Sequence, residues 1–96
     1  MSAKRTDGNQ AQIARELRAV GLAFYDTHEV GQGFPDGVVV GYNRRTGTVD
    51  ALLVEIKTAR GKLTPAERIF HAEYPEDGPL LVARSADDIL AWFGLI

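Results

Sequence analysis

Apolar positions along the chain change period several times, and each change marks an element. Ile13, Leu17 and Val20 recur at helical spacing. Asp7 is placed as an N-cap with Gln10 in capping-box register behind it, and Gly21 is placed to end the turn, so the pattern predicts a helix over about residues 8–20. Leu22 to Val30 mixes apolar and aromatic residues with polar ones and reads as a strand, after which Gly31, Gly33 and Pro35 mark a loop. Val38-Val39-Val40 and Ala51-Leu52-Leu53-Val54 flank Asn43-Arg44-Arg45-Thr46-Gly47, which predicts a hairpin. The two runs are nearly unbroken rather than alternating, the signature of strands covered on both faces.

Thr64-Pro65-Ala66-Glu67 opens a second helix, with Thr64 as N-cap, Pro65 at the first helical position and Glu67 closing the box. Ala66, Ile69, Phe70 and Tyr74 form its apolar stripe. Pro75 to Pro79 break the chain, Leu80 to Ala83 make another short strand, and Ser85-Ala86-Asp87-Asp88 start a last helix whose Ile89, Leu90, Trp92 and Phe93 face inward. The expected order is α-β-β-β-α-β-α. That is an α/β domain with a mixed sheet flanked by helices, one unit over residues 1–96.

Composition narrows the class. In 96 residues, 45% apolar and 25% charged, there is room for one core, and no apolar run approaches the ~20 residues that span a bilayer. No membrane partner is expected. The absence of cysteine excludes disulfides, thiolate metal sites and a cysteine nucleophile. No apolar segment follows Met1-Ser2-Ala3-Lys4-Arg5, so a cytoplasmic location is the default expectation.

A net charge of -2 sits awkwardly with binding DNA, since affinity for phosphates rests on lysine and arginine. Distribution matters more than the sum. Residues 43–68 carry Arg44, Arg45, Lys57, Arg60, Lys62 and Arg68, whereas residues 69–96 set Glu73, Glu76, Asp77, Asp87 and Asp88 against Arg84. The middle is basic and the C-terminal third acidic.

The chemistry is concentrated in two stretches, Phe34-Pro35-Asp36-Gly37 and Glu55-Ile56-Lys57. A carboxylate at the start of one strand, with a carboxylate and a lysine two apart on its neighbour, would gather two hard oxygen ligands and a cation at one point. Side chains alternate across a strand, so Glu55 and Lys57 share a face with Leu53. Such a set suits metal-assisted cleavage of a phosphodiester. The plainer alternative makes Asp36 a turn residue and Glu55 with Lys57 an ion pair at a sheet edge.

With the order of elements, these motifs resemble the PD-(D/E)XK nuclease superfamily, in particular a minimal phage-type VRR-NUC or Holliday-junction-resolvase-like nuclease. The resemblance runs over Asp7-Gly8-Asn9-Gln10, Gly33-Phe34-Pro35-Asp36, Val54-Glu55-Ile56-Lys57, Gly61-Lys62-Leu63-Thr64 and Arg84-Ser85-Ala86-Asp87-Asp88. It implies that Asp36, Glu55 and the backbone carbonyl of Ile56 bind Mg2+ or Mn2+, and that Lys57 holds or deprotonates the attacking water. It further implies a DNA endonuclease acting on branched or structured DNA such as a Holliday junction, working as a homodimer, in a phage-encoded case in the host cytoplasm.

Glu67 departs from the pattern, since relatives commonly carry glutamine there. It either joins the catalytic group beside Asp36, Glu55 and Lys57 or only closes the capping box with Thr64. His71 and His28 read as surface or half-buried histidines, and Asp50 as a solvated residue near the hairpin turn. Arg44, Arg45, Arg60 and Lys62 are candidate DNA contacts, taken to flank the site, or else solubilising charges. The alternative function is a catalytically silent nucleic-acid- or protein-binding module on the same fold.

Overall fold

A computed structural model describes residues 9–96, in the order α1 (Gln10–Ala19), β1 (Ala23–Asp26), β2 (Gly37–Asn43), β3 (Thr48–Ile56), α2 (Pro65–Glu73), β4 (Leu80–Ala83) and α3 (Ala86–Trp92). The four strands form one mixed sheet in the order β1-β2-β3-β4, antiparallel except for the parallel β3–β4 pair that α2 bridges. The α/β architecture and the element order read from the sequence are those of the molecule. The hairpin register runs from Gly37 opposite Val54 to Asn43 opposite Thr48.

One face of the sheet carries Phe24, Val39, Leu52, Val54 and Ile56, all buried, and α1 and α3 close over it with Ile13, Leu17, Ile89 and Phe93. This is the core. Leu90 and Trp92 pack only partly against it.

The opposite face departs from expectation. Tyr25, Tyr42 and Val49 are exposed there, so β2 and β3 are not covered on both sides along their length. Among the described residues α2 is the only helix on that side, and none of its residues is buried. Phe70 meets Phe34 edge-on at 5.5 Å and stacks on Tyr74, but Ile69 is exposed, so the apolar stripe of this helix faces a loop and water more than the sheet.

Two further boundaries differ. The strand expected over 22–30 stops at Asp26, because the Asp26 carboxylate accepts the His28 backbone N–H at 2.9 Å and turns the chain into a single 3₁₀ turn, His28–Val30. The capping role read for Asp7 lies outside the described residues. Asn9 stands at the N-cap position of α1, but its side chain makes no capping bond and reaches across the fold instead. Thr64 and Glu67 do form the full capping box of α2.

Candidate metal centre

Chain geometry brings Asp36 and Glu55 together. Continuing the hairpin register one step beyond Gly37–Val54 sets Asp36 opposite Glu55, and residues directly opposite in an antiparallel pair share a face. Asp36 Oδ2 accepts the Ile56 N–H at 2.8 Å, which pins the loop carboxylate to the end of β3. The Ile56 carbonyl leaves the strand on the same side as its N–H, toward Asp36.

Glu55 has 0% relative exposure, and neither of its carboxylate oxygens has a hydrogen-bond partner. A buried ionised carboxylate in that condition is expensive. Its pKa is pushed up to about 9, first by burial, then by an Asp36 carboxylate near enough to share its proton, and then by Glu67. Two acids crowd one place, and among the described residues the counter-charge on Glu55 is thin: Lys57 Nζ stands 3.8 Å from Glu55 Oε2. The same Nζ is 2.9 Å from Glu67 Oε1.

Glu67 closes the capping box and also contacts Lys57. Its Oε1 accepts the Thr64 N–H at 2.8 Å while receiving the Lys57 ammonium. Burial works to raise its pKa, but the Thr64 N–H and Lys57 outweigh that and hold its carboxyl below the usual range. Gly33 makes this possible. At φ +81° it lets the loop before Asp36 press against the first turn of α2, where a Cβ would collide with the Ala66 carbonyl oxygen.

Among the described residues no three His, Asp or Glu side chains form a ready-made metal cage. The donor set is instead two carboxylates and one carbonyl. That suits Mg2+ or Mn2+, which keep several waters and are commonly held by one or two carboxylates plus substrate phosphate. The orphaned oxygens of Glu55 are the observation that fits a cation here.

No family model, curated protein or solved structure matches this chain. The functional reading therefore rests on the site itself.

The basic candidates divide. Arg60 and Lys62 lie exposed on the loop that leaves Lys57, a few residues beyond Glu55 in sequence. Arg44 and Arg45 do not flank the site. They sit at the hairpin tip, about six strand residues or ~20 Å from the Asp36 end. There Arg44 N–H bonds the Phe93 carbonyl and Arg45 Nη1 approaches the Ala91 carbonyl, beside α3. Their placement follows from the hairpin direction, which carries its turn away from the end where Asp36 enters.

Asp50 sits where expected, accepting the Thr46 and Thr48 hydroxyls beside the turn. His28 is bound to Asp26 at 2.6 Å. His71 is half-buried; burial lowers its pKa against the opposing pull of Glu67, and its Nε2 is enclosed without a partner.

Two sets of contacts were not legible in sequence. Arg84 donates to the Thr58 carbonyl at 2.6 Å and the Gly61 carbonyl at 2.7 Å, fixing the loop that bears Arg60. Asn9 Nδ2 reaches the backbone carbonyls of Lys57 and Arg84, each at 3.3 Å. Both residues lie in stretches that carry the resemblance, but their contacts reach backbone across long sequence separations, which the local pattern does not announce.

Proposed function

We propose that this protein is a divalent-metal-dependent endonuclease that hydrolyses DNA phosphodiester bonds, with branched DNA such as a four-way junction as its preferred substrate. The observation that carries the reading is the buried carboxylate of Glu55, without a hydrogen bond, set against that of Asp36 beside Lys57. A module without chemistry gains nothing from a buried and a half-buried acid that repel unless a cation joins them.

Asp36, Glu55 and the Ile56 carbonyl hold the ion. When bound there, Mg2+ or Mn2+ would supply Lewis-acid chemistry to the scissile phosphate and to an attacking water. Lys57 holds the attacking water and faces the negative charge that develops on the phosphate. Glu67, at 2.9 Å, orients Lys57. The leaving strand departs as a 3′ or 5′ hydroxyl without a covalent enzyme intermediate. Arg60 and Lys62, on the loop that leaves Lys57, supply phosphate contacts.

Symmetric nicking of a junction requires two such sites, so the working form is a homodimer. A chain this small also has little room for base-reading elements, which favours recognition of DNA shape over sequence.

The test is incubation of purified protein with labelled four-way junction, flap, single-stranded and linear duplex DNA, in magnesium, manganese or EDTA. Metal-dependent cutting that Lys57→Ala abolishes supports the reading. No cutting of any substrate, or cutting undiminished in Lys57→Ala, overturns it in favour of a silent binding module.

A further inference from the structure

A cavity of about 300 Å³ runs between α1 and β1, lined by Gln10, Arg15, Arg18, Phe24 and Asp26. Its Gln10–Asp26 end lies at the same end of the sheet as the candidate metal centre, on the opposite face and beside the β1 edge. Asp26 pairs with Gly37, the residue after Asp36, and the Thr27 N–H bonds the Asp36 carbonyl at 2.8 Å. From Gln10 to Arg18 the groove follows α1 away from that end for about 12 Å.

The charge and the polar groups along it are uneven. Arg15 makes no hydrogen bond or ion pair within the described residues. Arg18, on the same side of the helix, is held by the Phe24 carbonyl at 3.2 Å and lies over the Phe24 ring, which leaves its charge at the wall of the cavity. Asp26 is the only acid among the described lining residues, and its carboxylate is bound to the His28 ring at 2.6 Å. Gln10 is only 4% exposed. Its amide hydrogen-bonds Asp26, and its Oε1 has no partner. A buried amide oxygen in that condition awaits a donor.

We propose that this groove binds a single-stranded segment of nucleic acid leading away from the scissile phosphate, with Arg15 and Arg18 on backbone phosphates and Gln10 Oε1 accepting from a base or sugar donor. The direction of the strand rests on the nuclease reading; the binding itself does not. Two guanidiniums one helical turn apart suit successive anions, and they outnumber the one carboxylate of the described lining. The groove gives a structure-selective enzyme a seat for the unpaired strand of a branched substrate.

Fluorescence anisotropy of a short labelled oligothymidine, in EDTA and over a series of salt concentrations, tests this without cleavage. Arg15 is the informative position because it is exposed and makes no hydrogen bond or ion pair among the described residues. Arg15→Glu is expected to weaken binding roughly tenfold and to lower the salt slope by about one, with its melting temperature unchanged and Arg15→Lys retaining most of the affinity. Arg44→Glu, at the far hairpin tip, is expected to have a smaller effect. Equal binding by wild type and Arg15→Glu overturns the inference, as does an equal loss in Arg44→Glu. Displacement of the oligonucleotide by polyglutamate at equal concentration also overturns it, in favour of a site for acidic peptide. If the wild type cuts no DNA yet Arg15→Glu loses the oligonucleotide, the groove stands and the nuclease reading falls. If it cuts DNA and Arg15→Glu binds unchanged, the reverse holds.

Discussion

The Asp36 carboxylate accepts the backbone N–H of Ile56 at 2.8 Å, so a residue proposed to hold metal also terminates the β2–β3 ladder. One oxygen is spent on structure and the other is left toward Glu55. This separates two effects that an alanine substitution would mix. Asp36→Asn keeps an acceptor for Ile56 and is expected to fold with nearly wild-type stability, while losing metal-dependent stabilisation. Asp36→Ala leaves the Ile56 N–H unpaired and is expected to cost a further ~1–3 kcal/mol. Chemical denaturation of both variants in EDTA measures the difference.

The second prediction concerns pH. The Glu55 pKa is raised in the folded state from its ordinary 4.5 to about 9, chiefly by burial. The folded protein therefore holds a proton there that the unfolded chain releases. The associated stability is fully present below about pH 4.5 and is lost as pH rises toward 9. Metal-free protein should thus lose melting temperature across this window, and Glu55→Gln should flatten the loss and melt higher at its alkaline end. Each kcal/mol corresponds to about 4–8 °C in a domain of this size. Because the ion displaces the same proton, metal affinity should climb over the same window in the wild type.

Much of this was legible in the chain. The hairpin, the Thr64–Glu67 capping box and the partnership of Asp36 with Glu55 follow from local pattern and from strand alternation, and these are short-range rules. What escaped was decided by tertiary geometry. The near-unbroken Val38–Val40 and Ala51–Val54 runs suggested two covered faces, yet α2 is drawn to the site end by Gly33, Phe34 and Lys57 and leaves Tyr42 and Val49 bare. Arg44 and Arg45 looked close to the site because they lie between its two motifs in sequence. A hairpin places its turn farthest from its open end, where Asp36 and Glu55 are.

A third prediction follows from the approach of Gly33 to Ala66. Gly33→Ala adds a Cβ that meets the Ala66 carbonyl oxygen at a backbone angle that disfavours any side chain. The first turn of α2 must retreat, and Glu67 with it. We expect a loss of about 1–3 kcal/mol, together with a weakened Glu67–Lys57 contact. Denaturation reads the first effect, and the Lys57 ammonium resonance in an NMR spectrum reads the second.

Glu67 itself allows a finer division. Glu67→Gln retains an acceptor for the Thr64 N–H and should keep the cap, whereas Glu67→Ala should lose about 1 kcal/mol of stability with it. Both remove the negative partner of Lys57. If Glu67 orients that ammonium for chemistry, both variants lose cleavage rate to a similar degree despite their different stabilities; if it serves the cap alone, Glu67→Gln cuts as the wild type does.

The central claim is that Asp36 and Glu55 grip one divalent ion beside Lys57, and metal-dependent melting tests it most directly. Purified wild type and Asp36→Asn are melted over a manganese titration into the millimolar range. The account predicts a rise in the wild-type melting temperature, about 2.7 kcal/mol of stabilisation once metal reaches a hundredfold excess over its dissociation constant, and no rise in Asp36→Asn. An unshifted wild type, or an equal shift in both proteins, would contradict it.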